Sequence, residues 1–284
     1  MKIDLHIHTK TGSDGALPIE EVFAEAKRRD IELISITDHD NIAYQGKAKE
    51  LAAASKMRYV TGVELNVTFV YNNKSVSLDF LGYGYDYKNS AFNKKLTVIR
   101  EHREKRARQI IDNINGEFKK ERRPLFTEID LQKIQESVDG ILGRPHIADY
   151  LIKKQVVSSR QEAFDKYLVR CDVPKYPLSL EEAVALVKGA GGKVVLAHPN
   201  DPNGTSLVSI TNDLNEQIKI VREKMLEYID GIECWHSRSD TETTRHYIEF
   251  SQKHNLIMTG GSDCHQKPIM MGTVEVEGWA ARNF

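Results

Sequence analysis

The sequence is poor in cysteine, carries no excess charge of either sign and contains no long apolar run. Only three of its 284 residues are cysteines, and Cys171, Cys234 and Cys264 have no paired spacing. An odd number of widely spaced cysteines argues against a disulfide framework and favours a reducing compartment. The 40 Lys and Arg residues balance the 41 Asp and Glu residues, which argues against an extended nucleic-acid or membrane surface.

The lack of a membrane-length apolar segment bears on localisation. The first residues alternate in polarity as a strand does, without the charged and then apolar stretches of an export signal. We therefore expect a cytoplasmic protein without a membrane partner. The sequence does not indicate an oligomeric state.

Strand and helix patterns alternate in the first and last parts of the chain. Residues 3–7 and 31–37 have strand patterns, and apolar side chains recur at helical spacing between them. Residues 89–176 have helical patterns and no clear strand. This order is typical of an α/β fold with parallel strands, and its length suits a single barrel. We predict a β/α (TIM-like) barrel from residues 1–88 and 177–284, with an all-helical insertion at 89–176.

The first strand carries two histidines on one face. His6 and His8 alternate with apolar residues, so both side chains project from the same side of the strand. Asp14 follows in a turn rich in Gly and Ser, beyond the strand end. The two imidazoles could hold one metal ion. Taken alone, the segment is equally consistent with an edge strand that has solvated histidines.

Similar side chains recur at the ends of the later predicted strands. The set is His6, His8, Asp38, His39, Glu64, His198, His236, Asp263 and His265. The carboxyl ends of barrel strands meet on one face, so these residues would converge in one pocket. Imidazole and carboxylate ligands suit zinc, manganese or iron. The candidates are too many for one tetrahedral ion, so we expect two or three divalent ions with Glu64 as a bridge. Such ions favour hydrolysis of a phosphate ester.

The motifs of this pattern resemble those of the PHP (polymerase and histidinol phosphatase) family, in that family's order. They are DLHIHT at 4–9, SDG at 13–15, ITDH at 36–39, GVE at 62–64, AHP at 197–199 and GSDCH at 261–265. The insertion resembles that of the family's small-nucleotide phosphoesterase branch, through Gly143-Arg144-Pro145-His146 alone.

The resemblance implies a distorted seven-stranded barrel that holds up to three ions. The implied ligands are His6, His8, Glu64 and Asp263 for the first ion, Glu64 and His146 for the second, and Asp14, His39 and His265 for the third. His198 would contact the phosphate and protonate the leaving group. Arg144 would clamp phosphate oxygens, because its planar guanidinium matches them.

The sequence also suggests roles for three further residues near the predicted site. Asp79 stands where the family usually has a histidine; as a ligand of the second ion it would favour manganese or iron over zinc, and otherwise only two ions bind tightly. Asp38 is expected to support a neighbouring ligand by hydrogen bonding. His236 either touches substrate or is structural.

These observations predict a metal-dependent phosphoesterase, in which water activated by the ions attacks phosphorus. The resemblance of the insertion indicates a small nucleotide as substrate, either a nucleoside 3′,5′-bisphosphate or a nucleoside monophosphate, and no long nucleic acid. Histidinol phosphate is the alternative substrate. A C–N amidohydrolase on a similar barrel is a second alternative, although such enzymes commonly use a bridging lysine where this chain has Glu64. A non-catalytic module is the third.

Overall fold

The computed structural model describes residues 1–138, 140, 142–203, 205–265 and 267–284. Strands and helices alternate at both ends of the chain, and helices alone occupy its middle. The strands are β1 (Ile3–Ile7), β2 (Leu33–Ile36), β3 (Arg58–Tyr59), β4 (Gly62–Tyr71), β5 (Lys74–Tyr83), β6 (Lys193–Leu196), β7 (Gly231–His236) and β8 (Ile257–Gly261). The α-helices are α1 (Ile19–Arg28), α2 (Gln45–Ala54), α3 (Ser90–Lys120), α4 (Glu128–Glu136), α5 (Arg144–Lys153), α6 (Arg160–Ala163), α7 (Leu180–Gly189), α8 (Leu214–Lys224) and α9 (Thr241–Lys253).

The first sheet contains β1, β2 and β3 in that order, all parallel. Every residue of β1 is buried, as expected for a strand covered on both faces. On one side α1 packs its apolar stripe, which includes Val22 and Phe23, against the sheet. Burial of each such side chain contributes about 1.5–3 kcal/mol.

The second sheet has the order β4-β5-β6-β7-β8 and mixes both directions. β4 and β5 form a ten-pair antiparallel hairpin, and β6 also runs antiparallel to β5. Asn72 and Asn73 make the two-residue turn of this hairpin with φ values of 48° and 63°. Asparagine tolerates such left-handed conformations, which two-residue hairpins require. β6, β7 and β8 are parallel.

The prediction of a distorted seven-stranded barrel is wrong. The described strands form a three-stranded parallel sheet and a separate five-stranded mixed sheet. Among the described residues, β-pairing between the two sheets is limited to two isolated bridges, Ile7 with Cys264 and His39 with Glu64. The cause lies in residues 62–83, because they form a hairpin where a barrel needs parallel strands joined by helices. Glu64 is consequently the third residue of β4, and Asp79 lies inside β5.

Apolar residues from both sheets form a shared core that holds the sheets together. Leu5 and Leu33 of the first sheet pack with Leu81 and Val195 of the second. The buried Tyr83 hydroxyl donates a hydrogen bond to the carbonyl oxygen of Leu5 at 2.7 Å. The strands that carry the candidate ligands are therefore fixed relative to each other.

Helices α3 to α6 form a second cluster of buried apolar residues, among them Ile110, Ile114 and Leu151. Thr127 and Asp130 form a capping box at the start of α4. The proposed insertion boundaries, 89 and 176, stay a prediction. None of the helices within the described ranges is long and apolar enough to cross a membrane.

Candidate metal centre

Four candidate ligands lie close together at the end of β1: His6, His8, Glu64 and Asp263. The Nε2 atoms of His6 and His8 lie 3.2 Å apart. Oδ1 of Asp263 lies 3.4 Å from the first nitrogen and 3.3 Å from the second. The two oxygens of Glu64 lie 3.4 Å from His6 Nε2 and 3.2 Å from His8 Nε2. All four side chains are buried.

This spacing fits one metal ion. Ligands of a tetrahedral ion with bonds of ~2.0–2.1 Å stand about 3.3 Å apart, which matches the separations of these nitrogen and oxygen atoms. Oε2 of Glu64 and Oδ1 of Asp263 are buried and form no well-aligned hydrogen bond with a described group; imidazole nitrogens lie 2.9 Å from the first oxygen and 3.1 Å from the second. A buried carboxylate oxygen without a donor is costly unless a cation compensates it. The donor set therefore fits a divalent cation.

A second group lies on the other side of His8. It contains Asp14, His39 and His265, which together with His8 bring ligand atoms within 4.8 Å of one another. Oδ1 of Asp14 lies 3.4 Å from His265 Nε2 and 3.8 Å from His39 Nε2, and it too lacks a hydrogen-bond donor among the described residues. This composition is the set that the resemblance implies for the third ion.

A third group contains Glu64, Asp79 and His198. His198 Nε2 lies 3.0 Å from Oε1 of Glu64 and 3.9 Å from Oδ2 of Asp79. The Asn66 amide donates a hydrogen bond to Asp79 at 2.5 Å, and the Thr205 hydroxyl donates another. Asp79 therefore stands beside Glu64, where the resemblance predicts a ligand of the second ion.

His146 lies apart from these groups. Its Nδ1 accepts a hydrogen bond from the Gly143 N–H at 3.0 Å, and it lines a neighbouring cavity with Asp14 and Tyr150. Among the described residues, the groups of close ligand atoms do not include His146. Its expected role at the second ion stays a prediction, and the histidine beside Glu64 and Asp79 is His198.

Charges within the groups compensate each other. Burial raises the pKa of Glu64, but the charges of His39 and His6 outweigh burial and hold that pKa well below its usual range. Burial lowers the pKa of His39 and His198, and Glu64 reverses this effect. The pKa of His39 rises to about 8 and that of His198 to about 9. Divalent cations would replace these protons as the compensating positive charge.

The sequence predicts that Asp38 supports a neighbouring ligand by hydrogen bonding, and Asp38 bonds the turn beside His8. It accepts hydrogen bonds from the Thr9 N–H at 2.7 Å and from the Ser13 hydroxyl at 2.8 Å. Ser13 Oγ in turn lies 3.3 Å from Nδ1 of His8. These bonds fix the turn that follows β1 and orient the His8 ring.

Glu233, Asp201 and Arg238 also lie at the centre, although the sequence patterns did not predict them. The signal for Glu233 was a lone acid within the apolar strand β7, where it is buried below His6. Arg238 pairs with both Asp201 and Asp263. His236 lies 3.4 Å from Oδ2 of Asp263 and is buried, so the structure brings it to the group without exposing it.

A cavity of about 510 Å³ opens beside Glu64, Asp79 and His198. Its walls carry six basic side chains, Arg103, Arg106, Arg144, Arg160, Lys175 and Arg238. Arg144 is fixed there, since Nη1 bonds to Asp172 at 2.7 Å and the guanidinium stacks on Phe164. A wall of fixed cations beside buried carboxylates suits an anionic ligand.

Two proteins of known activity are similar to this chain over most of its length. A 3′,5′-nucleoside bisphosphate phosphatase of Chromobacterium violaceum is 28% identical over 277 residues, which cover 93% of this chain and 87% of that protein. The 5′-3′ exoribonuclease Rnm of Escherichia coli is 28% identical over 268 residues, which cover 93% of this chain and 85% of that protein.

The fold has a close counterpart among solved structures. A crystal structure from Bifidobacterium adolescentis, of a protein provisionally assigned as a metal-dependent phosphoesterase, matches with a TM-score of 0.80 and 28% identity. The match covers 99% of this chain and 94% of the other. The family model for the PHP domain matches residues 4–167, more than half of the chain and including all but the last two of the converging motifs. The chain belongs to the PHP domain family.

Proposed function

We propose that the chain is a metal-dependent phosphoesterase and that it hydrolyses a small nucleotide. The observation that carries the proposal is that oxygens of Glu64 and Asp263 lie 3.2–3.4 Å from the Nε2 atoms of both His6 and His8, beside a cavity walled by basic side chains. The two curated relatives described above are a nucleotide phosphatase and an exoribonuclease, which supports a phosphate ester as substrate.

We assign the ligands by group. The first ion would be held by His6, His8, Glu64 and Asp263, the second by Glu64, Asp79 and His198, and the third by Asp14, His39 and His265. Bound divalent ions would acidify a water molecule and neutralise the charge that develops on the phosphoryl group. The oxygen of Asp79 favours manganese or iron at the second position.

The chain's own cations bind and orient the substrate. Arg144 presents a guanidinium that Asp172 and Phe164 hold in place, so little side-chain entropy is lost when it binds phosphate oxygens. Lys175 lines the same cavity and forms no ion pair with a described residue, which leaves its ammonium free for a second anionic group. This pair of cations supports a nucleoside 3′,5′-bisphosphate over a nucleoside monophosphate.

His198 has two candidate roles. Its Nε2 faces the carboxylates of Glu64 and Asp79, which favours a ligand. The alternative is the proton donor to the leaving group that the sequence resemblance implies. Loss of one bound ion in His198→Ala identifies the ligand, whereas full metal content with little turnover identifies the proton donor.

The experiment is phosphate release from a panel of esters by protein loaded with Mn²⁺, Fe²⁺ or Zn²⁺. The panel contains adenosine 3′,5′-bisphosphate, AMP and histidinol phosphate, with an N-acyl amino acid to detect amidohydrolase activity. We expect the bisphosphate to have the highest kcat/KM. The proposal would be refuted if none of the three metal forms released phosphate from any of the phosphate esters.

A second candidate function is removal of nucleotides from the 5′ end of a short RNA. A cavity of about 320 Å³ adjoins the metal centre at Asp14 and is lined by Lys10, Lys133 and Lys153. These ammonium groups could hold a phosphate beyond the one that is cleaved. Cleavage of a 5′-phosphorylated trinucleotide at a rate above that of AMP would favour this candidate, and a Lys133→Ala/Lys153→Ala variant should lose that preference.

A further inference from the structure

Glu233 is a buried acid of β7 that lies under the metal centre without belonging to any group of close ligand atoms in the described chain. Its two carboxylate oxygens lie 3.0 Å and 3.2 Å from Nδ1 of His6. Oε2 also accepts a hydrogen bond from the backbone N–H of His198 at 2.9 Å. The Glu233 side chain thus contacts both His6, of the group around the first ion, and His198, of the group with Glu64 and Asp79.

The contact with His6 decides which nitrogen of that ring faces the centre. Nε2 of His6 points at His8, Glu64 and Asp263, so it must be free of a proton to bind a cation. A carboxylate at Nδ1 requires the proton to be on Nδ1 and keeps the ring plane fixed. Glu233 therefore prepares Nε2 as a ligand atom.

The contact with His198 holds an unfavourable backbone conformation. His198 has a φ of 24°, in a region that side chains other than glycine avoid, so its geometry depends on surrounding bonds. Glu233 accepts the N–H of that same residue. The bond fixes the turn after β6 that directs the imidazole of His198 toward Glu64 and Asp79.

We infer that Glu233 is a positioning residue that orients His6 and the His198 turn together, and that it thereby sets the affinity of the centre for its metal ions. The inference rests on the proposed metal centre. Glu233 is not itself a ligand, because its oxygens face Nδ1 of His6 on the side of the ring away from the other three ligands.

The test is Glu233→Gln in the full chain. An amide of the same shape replaces one carboxylate oxygen with an NH₂ donor and removes the negative charge, so a single oxygen remains for His6 and His198 and the proton on Nδ1 of His6 is held less strongly. We expect the affinity for Mn²⁺, measured by competition with a chelator of known affinity, to fall 10–100-fold. An unchanged affinity would overturn the inference.

Tyr83→Phe is the matched control. It removes the buried hydrogen bond from the Tyr83 hydroxyl to Leu5 in the same core, and that hydroxyl forms no hydrogen bond or ion pair with a proposed ligand among the described residues. We expect it to lower thermal stability and to leave Mn²⁺ affinity within threefold of the parent. An equal loss of affinity in both variants would mean that general loosening of the core is responsible, and the inference would fail.

Should Glu233→Gln not fold, the unmodified protein provides a second measurement. Long-range proton–nitrogen NMR of the zinc-loaded chain identifies which His6 nitrogen carries the proton. A proton on Nδ1 supports the inference, and zinc bound through Nδ1 refutes it. If the unmodified chain binds neither Mn²⁺ nor Zn²⁺, the proposed function itself fails; metal binding that Glu233→Gln leaves intact defeats only the inference.

Discussion

Glu64 faces a different imidazole with each of its oxygens: Oε1 lies 3.0 Å from His198 Nε2 and Oε2 lies 2.9 Å from His39 Nδ1. These histidines belong to different ligand groups, and both groups adjoin the His6–His8 pair. A single carboxylate therefore stands between the three groups. Its place favours the bridging role that we propose.

His198→Ala should remove one equivalent of bound metal and lower kcat by about 10²-fold or more. The physical reason is the loss of the nitrogen that faces Glu64 and Asp79. Elemental analysis of dialysed protein and phosphate release measure the two effects. His254→Ala, at the end of α9, is the control and should keep both values. Full metal content in His198→Ala would argue for the proton-donor role instead.

Arg144→Ala should raise KM for the nucleotide about 10–100-fold, because a hydrogen bond to a charged group contributes about 1.5–3 kcal/mol. Arg144→Lys should recover only part of this loss, since an ammonium cannot bind two phosphate oxygens in parallel. Steady-state kinetics of both variants measure the effect. Arg108→Ala changes an exposed arginine of α3 that pairs with Glu128, and it should have parental kinetics. An unchanged KM in Arg144→Ala would exclude the clamp.

Metal removal should lower thermal stability as well as abolish turnover. Mn²⁺ at 100 times its Kd stabilises the folded state by about 2.7 kcal/mol, which corresponds to a Tm shift of about 5 °C for a chain of this size. Differential scanning calorimetry of chelator-treated and reloaded protein checks this. Asp263→Asn should lose the Mn²⁺-dependent shift, whereas Asp112→Asn on the exposed face of α3 should retain it. An equal Tm for the parent protein with and without Mn²⁺ would contradict the prediction.

Asp130 should stabilise the helical region above its unfolded pKa. Burial alone would raise the pKa of Asp130, but hydrogen bonds from Lys154, Thr127 and Tyr150 hold it below its usual value. A carboxylate with a lowered folded pKa contributes stability at neutral pH and loses that contribution as pH falls. Asp130→Asn should cost about 2 kcal/mol at pH 7.

The cost should shrink as pH falls from about 5 toward 2, because the parent carboxylate then also becomes neutral. Urea unfolding of the parent and Asp130→Asn at several pH values measures the gap. Asp112→Asn should show little cost at any pH, since Asp112 is exposed. A gap that is constant across this range would rule out the charge as its source.

Local patterns in the sequence predicted β1 and the helix that follows it, α1, correctly. They failed at residues 62–83, where two strands form an antiparallel hairpin. A period of two identifies a strand but does not state the direction of its neighbour. The Asn72-Asn73 turn carried that information, and overlooking it led to the barrel prediction.

For the candidate site too, the sequence predicted one part of the arrangement and not the other. The motifs predicted that His6, His8, Glu64 and Asp263 would meet, and oxygens of both acids lie 3.2–3.4 Å from Nε2 of each histidine. Their roles as ligands stay a proposal. The sequence did not indicate that His198, and not His146, stands beside Glu64, because that depends on how the helical region sits against the sheets.

The order and spacing of residues alone determined which side chains share a strand face and which chemistry they could perform together, because these properties depend on local backbone geometry. Only the tertiary structure decided that one carboxylate lies between three groups and that Glu233 supports His6 from below. Such contacts join residues as far apart as 227 positions, and the packing of whole sheets sets their distances.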